Sequence, residues 1–250
     1  MEEQPRTKKE RKALRRIENE KASVRQRNIR MVRRIVFWGL VVFCIIGTTG
    51  LMILFSLRNS QTDMLPGASP EDLKVVEGDW VKGSSNPQAT LIEYSDFQCP
   101  ACASYRPFFQ QAVTDLGKDA RFIYRHFPLK SIHKNAELAA YAAEAAGSQG
   151  KFWEMHDAIF EHQEEWASEQ DARQLFVQYA ERLELERAKF EADLDSQKIK
   201  GKVNQDLEGG QTLGVNATPT FFLNGKKINN PRTYEEFRTL IENEIKRSVP

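Results

Sequence analysis

Apolar positions along the chain change their pattern three times. From Ile35 to Leu57, "IVFWGLVVFCIIGTTGLMILFSL", 23 residues pass without a charge. As a helix that run rises about 34 Å, enough to cross a hydrocarbon core of about 30 Å, and it is expected to be a transmembrane helix. A cleaved signal peptide has a shorter apolar stretch that ends in a small-x-small site. Cys44 reads as one more apolar residue of the span, because Phe43 stands where a lipidation signal carries a small residue.

Beyond residue 58 the pattern is that of a folded domain. The turn-forming clusters "PGASPED" and "GSSNPQ" between residues 59 and 88 predict a tether (58–74) followed by entry into a domain (75–250). Ala89 to Tyr94, "ATLIEY", is a short apolar run with β-branched members and predicts a buried strand. Ala101 to Leu116 has helical character, kinked at Pro107, and Ala120 to Phe127, "ARFIYRHF", predicts a second strand. From about 131 to 210 the periodicity is wholly helical. "NAELAAYAAEAAG" is alanine-rich and ends in glycine, "KFWEMHDAIFEH" repeats large apolar residues, and Leu175, Phe176, Tyr179 and Leu183 fall on one face, with Phe190 and Leu194 extending the series. Four or five short helices are expected there. β character returns at "TPTFFLNGKKI", where Asn224-Gly225 is a two-residue hairpin signal, and Thr233 to Arg247 closes as an amphipathic helix. The predicted order is βαβ, helical block, ββα, an α/β fold.

Charge adds a direction to this layout. The overall +1 conceals a basic head, residues 1–34 with 13 Lys/Arg against 5 Asp/Glu, and an acidic remainder with 23 against 30. Basic residues beside a span stay on the cytoplasmic side, so residues 1–34 are expected inside and residues 58–250 outside, where disulfides persist. The head has no Phe, Tyr or Trp for base stacking and no DNA-binding module, so its basic residues are read as topology signals that touch anionic lipid, with no nucleic acid as partner.

The candidate chemistry lies at "FQCPACAS", where Cys99 and Cys102 stand three apart between strand and helix. That spacing serves a redox dithiol, half of a zinc site or a small structural disulfide. Zinc needs further ligands, and His126, His133, His156 and His162 form no second ligand pair; each is read as a surface or packing histidine, with no metal and no cofactor expected. A structural disulfide closing so small a loop constrains little unfolded-state entropy. In the βαβ context the pair reads as a redox dithiol. A helix N-terminus stabilises negative charge, so Cys99 is expected to be the exposed nucleophile, and Cys102, one turn later, the more buried resolving thiol. Pro100 suits the first helical turn. Asp96, in the turn before the motif, is expected to be solvated.

Together "EYSDFQCPACASY", "YRHFPLKSIHKNAELAAYAAEAAGSQGKFWEMHDAIFEHQ" and "GVNATPTFFLNGKKI" resemble the DsbA-like family of bacterial thiol-disulfide oxidoreductases, in its membrane-anchored branch. The resemblance covers about Val75 to Ser248 and not the basic head. It implies a thioredoxin-like core with an inserted helical domain. It further implies a cis Pro219 beside the Cys99–Cys102 disulfide, with Thr218 offering backbone groups to a substrate peptide. Glu93, six residues before Cys99, matches the family's buried acid and would relay protons to Cys102. Pro100 and Ala101, between the cysteines, tune the redox poise; they match neither the Gly-Pro of reducing thioredoxins nor the Pro-His of strongly oxidising relatives. The outward topology then predicts an anchored oxidase that donates its disulfide to reduced secreted or envelope proteins and is reoxidised by a quinone-linked membrane partner. The competing expectations are a reductase or isomerase of the same fold and a non-enzymatic anchored binding module with a static disulfide.

Overall fold

The computed structural model describes residues 73–248, together with Trp38, Gly39 and Gly47. The basic segment 1–34 and the rest of the expected span 35–57 lie outside the described residues. Among the described residues no helix is long and apolar enough to cross a membrane.

A five-stranded sheet organises the domain, in the order β1-β3-β2-β4-β5. Its strands are β1 (Trp80–Gly83), β2 (Ala89–Ser95), β3 (Ala120–His126), β4 (Thr220–Leu223) and β5 (Lys226–Ile228). Strands β2 and β3 are buried along nearly their whole length and on both faces, which marks central strands of a covered sheet. They run parallel, with Glu93 beside Tyr124 and Ser95 beside His126. The crossover between them is helix α1 (Pro100–Leu116), which continues through Pro107. Strand β4 pairs antiparallel with β2 and β5 antiparallel with β4. Asn224 and Gly225 both take positive φ, +46° and +79°, the backbone that a two-residue hairpin requires and that an Asn-Gly pair adopts at low cost.

Six helices separate β3 from β4: α2 (Ala136–Gly147), α3 (Phe152–Glu161), α4 (Gln163–Trp166), α5 (Arg173–Arg182), α6 (Arg187–Leu194) and α7 (Gln197–Thr212). This exceeds the four or five expected because α4 is a single turn, too short to show a period. Helix α8 (Tyr234–Ser248) ends the described chain.

Packing divides the interior. On one sheet face α1 and α8 cover Leu91, Phe122, Phe221 and Leu223 with Phe109, Ala112, Phe237 and Ile241. On the other, Ile92, Tyr94, Ile123 and Phe222 meet Phe127, Leu213 and Val215. Gly210 on α7 lets that helix approach this face: a Cβ there would come within 2.7 Å of the Phe127 ring. The third cluster belongs to the inserted helices, where the alanines of α2 receive Phe152, Met155, Trp166, Phe176 and Phe190. Cys99 and Cys102 are members of this third cluster, as are Phe97 and Tyr124.

Strand β1 lies within the stretch read as tether and entry. Four residues with only every second side chain half-buried carry too weak a period to be seen between turn signals. It is fixed from outside the sheet: Trp80 stacks on Phe152 with ring centroids 4.1 Å apart and donates Nε1–H to Glu144 Oε1 at 2.7 Å. Leu73 is already in the core, and the Lys74 carbonyl accepts from Arg125.

Candidate active site

The dithiol sits where β2 runs out. After Ser95 the chain turns through Asp96, Phe97 and Gln98, with Cys99 N–H donating to Asp96 O at 3.1 Å, and enters α1 at Pro100. Cys99 is the N-cap residue, extended at φ −75° and ψ 119°, and its own side chain makes no cap hydrogen bond in the way a serine or aspartate would. Its sulfur therefore lies at the end of α1 where unpaired N–H groups gather, and Pro100 occupies a position that needs no N–H. The first turn of α1 holds no acidic side chain to compete for those donors.

The two thiols are free and unequal. Cys99 retains 8% of its surface and Cys102 1%. The expected order of burial holds, but Cys99 is not an exposed side chain, because Phe97 and the apolar faces of the insertion close over it. The thiol hydrogen bond from Cys102 lowers the Cys99 thiol; burial acts against it, while Thr218 and the N–H groups of Cys102 and Ala101 lower it further, to about 5. Burial pushes Cys102 well above the ordinary thiol range, helped by its bond to Cys99 and by the charges of Cys99 and Glu93.

Opposite the pair, the Thr218–Pro219 peptide is cis, and Cys99 Sγ lies 3.4 Å from Thr218 O. The loop is held by Asn230 Nδ2, which donates to Pro219 O at 2.8 Å, and by Thr220 Oγ1, which donates to Ala217 O at 2.8 Å. Thr218 Oγ1 is buried without a hydrogen-bond partner. Chain positions more than a hundred residues apart thus meet at one sulfur.

Glu93 is 5% exposed, and burial raises its carboxyl to about 7. It lies on the same face of β2 as Ser95 and beside Tyr124 of β3. Ser95 Oγ, Tyr124 OH and His126 Nδ1 on that face are buried polar atoms without a direct partner. Burial pushes the Tyr124 phenol up, and the charges of Glu93 and Cys102 push the same way.

Asp96 departs from expectation: it is 1% exposed rather than solvated. Its Oδ1 accepts Gln98 N–H at 2.7 Å; its Oδ2 takes Leu129 N–H and His133 Nδ1, both at 2.8 Å. Its own N–H points at Cys102 Sγ, 3.5 Å away. A carboxylate at a turn is stable inside the protein only when its lone pairs are filled, and here three donors fill them. The signal that finds Leu129 and His133 is the parallel register. Pairing Ser95 with His126 brings the segments that follow both strands to the same sheet end, so the loop after β3 lies against the dithiol turn.

Of the other histidines, His126 is buried against Glu144, with Nε2 2.9 Å from Oε1, and His156 packs among Phe97, Tyr124, Trp153 and Phe160. His126, Glu144 and Asp206 bring ligand atoms within 4.8 Å of one another. The two carboxylates are already engaged inside the chain: Glu144 receives Trp80 and His126, while Asp206 is paired with Lys202 Nζ and accepts His126 N–H at 3.2 Å. The set reads as an ion network joining β1, β3, α2 and α7, with the Lys202 ammonium as its cation.

Comparison with known proteins agrees with this geometry. The chain matches the family described as Thioredoxin over residues 75–243. Its fold superposes on oxidised BdbD of Bacillus subtilis with a TM-score of 0.62 and 26% identity, covering 69% of this chain and 95% of that one. It also superposes on α-DsbA1 of Wolbachia pipientis with a TM-score of 0.63 and 23% identity, covering 73% and 98%; at that identity the likeness is one of fold. Among curated proteins, a Na(+)/H(+) antiporter NhaA of Salinispora tropica is 38% identical over 157 residues, 63% of this chain and 23% of the antiporter. An antiporter of the same name from Mycolicibacterium gilvum is 36% identical over 179 residues, 68% of this chain and 28% of the antiporter. The chain spans about a quarter of the length of these curated relatives.

Proposed function

Because this chain belongs to the DsbA-like family of the thioredoxin superfamily, we propose that it is a membrane-anchored oxidase that donates a Cys99–Cys102 disulfide to reduced secreted or envelope proteins. The observation that carries the reading is the inequality of the two thiols at the start of α1. A sulfur that is comfortable as a thiolate is a good leaving group, and the dithiol form that contains it is favoured over the disulfide, which makes the disulfide an oxidant.

A substrate thiolate attacks Cys99 Sγ, the Cys99–Cys102 bond breaks, and Cys102 leaves as a thiolate that takes a proton from Glu93. A second substrate thiolate attacks the substrate sulfur of the mixed disulfide and expels Cys99 as a thiolate. The substrate loses two electrons and two protons; Cys102 holds one proton in the end, passed through Glu93, and solvent takes the other. Thr218, with its backbone beside Cys99, pairs with an extended substrate segment, and cis Pro219 shapes that surface. A quinone-linked membrane partner restores the disulfide. The charge-free run 35–57, with basic residues before it, holds donor and partner in one plane and raises their effective concentration.

Trapping thiols in intact cells tests the direction. An oxidase keeps Cys99 and Cys102 mostly as the disulfide, and a standing dithiol would assign the protein to the reductase or isomerase reading. Oxidative refolding of a reduced protein by the full chain separates both from a binding module, for which Cys99→Ser changes nothing.

A further inference from the structure

Two glutamines grip the turn that carries the dithiol, reaching across one boundary in opposite directions. Gln98, on the turn, donates Nε2–H to Ala167 O at 2.7 Å and accepts Asn135 N–H at 2.8 Å. Gln163, the first residue of α4, reaches back: its Nε2 donates to Phe97 O at 2.6 Å and to Cys99 O at 3.1 Å. Asn135 closes the far end, its Nδ2 donating to Trp166 O at 3.2 Å and Glu169 O at 3.0 Å. The Cys99 carbonyl also accepts the first bond of α1, from Ala103 N–H at 3.2 Å.

The two carbonyls that Gln163 engages bracket the backbone of the nucleophilic position. Without Gln163 the Phe97 carbonyl loses this donor and the Cys99 carbonyl keeps only Ala103 N–H, so both present more of their negative ends within the turn that carries a sulfur charged only in the dithiol form. A donor on them therefore favours that form selectively, since the uncharged disulfide feels little of it. The amide comes from 64 residues downstream, in a segment with no cysteine of its own.

We propose that Gln163 is a positioning residue for disulfide exchange: with its amide on the Phe97 and Cys99 carbonyls, the helical insertion holds the turn so that the dithiol is favoured and the disulfide is the stronger oxidant. The proposal rests on the reading of Cys99 and Cys102 as the exchanging pair. In the reaction that reports it, two glutathione thiols become glutathione disulfide and the Cys99–Cys102 bond takes up their two electrons. Cys99 ends as a thiolate, Cys102 as a thiol, and the second proton enters solvent.

The test equilibrates the full chain with glutathione buffers and measures the fraction of protein disulfide in the parent, Gln163→Met, Gln163→Glu and Asn135→Ala. Gln163→Met keeps the bulk and removes both donors; it is expected to move the equilibrium constant about fourfold toward the protein disulfide. Gln163→Glu places a carboxylate against two carbonyls and is expected to move it roughly tenfold or more, about 30 mV. Both variants should raise the pH at which the Cys99 thiolate forms. Asn135→Ala loosens α4 without touching either carbonyl and should lower the melting temperature with no shift in the constant. If Gln163→Met leaves the constant unchanged, the proposal is overturned, whether or not Gln163→Glu folds; an equal shift in Asn135→Ala overturns it too, by showing general slackening of the insertion. A parent that forms no disulfide with glutathione at all would instead remove the exchange reading.

Discussion

The sheet with α1 and α8 and the inserted helices α2–α7 solve different problems within one domain. The sheet side is built from large side chains on alternating positions, Leu91, Phe122, Phe221 and Phe237 among them, and it supplies backbone ends: a strand terminus, a helix N-terminus and the cis-proline loop. The insertion is built on small residues, six alanines of α2 that admit Phe152, Met155, Trp166 and Phe176 at close range. The sulfurs are carried by the first region and packed by the second. The reactive group is therefore positioned by backbone from one side, while its surroundings come from the other. A thiolate needs donors and a resolving thiol needs burial, and the boundary between the two regions is where both are met.

The largest test of this division is Cys99→Ser, which should reduce oxidative refolding to the rate without the protein while leaving the melting temperature within a few degrees. A matched pair sharpens it. Trp166→Ala in the insertion and Phe237→Ala on the buried face of α8 both remove fully buried rings and should each cost about 3–5 kcal/mol in denaturant unfolding. Only Trp166→Ala should also slow reaction of Cys99 with a small disulfide, because only Trp166 shares a cluster with the sulfurs. Equal slowing in both variants would erase the distinction.

Next in size is the pH dependence of Glu93, which stands on the sheet side but faces the pair. Its carboxyl is raised from 4.5 to about 7 in the folded protein, so between those values the folded state holds a proton that the unfolded state has lost. Stability then falls as pH rises through that window, by up to about 3 kcal/mol. With the pair oxidised, so that Cys99 does not titrate, Glu93→Gln should abolish the slope, seen as a melting temperature that stays flat from pH 5 to about 8. Cys99 has the opposite sign. Its depressed thiol favours the reduced folded state above the ordinary thiol range, and that gain is lost as pH falls through about 5. The smallest expected effect is at the bridge between the regions: Trp80→Phe keeps the stack on Phe152 but removes the donor to Glu144, and should cost roughly 1–2 kcal/mol in urea unfolding.

Much of the fold was legible because it is written in local periods. The strands at 89–95 and 120–126, the helix from Pro100, the Asn224-Gly225 hairpin and the closing helix each depend on neighbours in sequence. The strand at Trp80–Gly83 was not legible, since its stability comes from pairing with β3 and from the Trp80 stack rather than from its own four residues. Asp96 was misplaced for a related reason. An acid in a turn looks solvated until the loop after β3 arrives with Leu129 N–H and His133 to surround it.

By itself the sequence determined which groups could react: two cysteines at dithiol spacing before a helix, an acid six residues upstream, and a Thr-Pro pair far downstream. Tertiary structure alone decided how those groups differ. The 3.4 Å approach of Cys99 to Thr218 O, the burial of Cys102 and Glu93, and the reach of Gln163 onto the Cys99 carbonyl all join residues distant along the chain. Acidity depends on desolvation and on donors within a few ångströms, and neither quantity exists until the chain has closed around the sulfur.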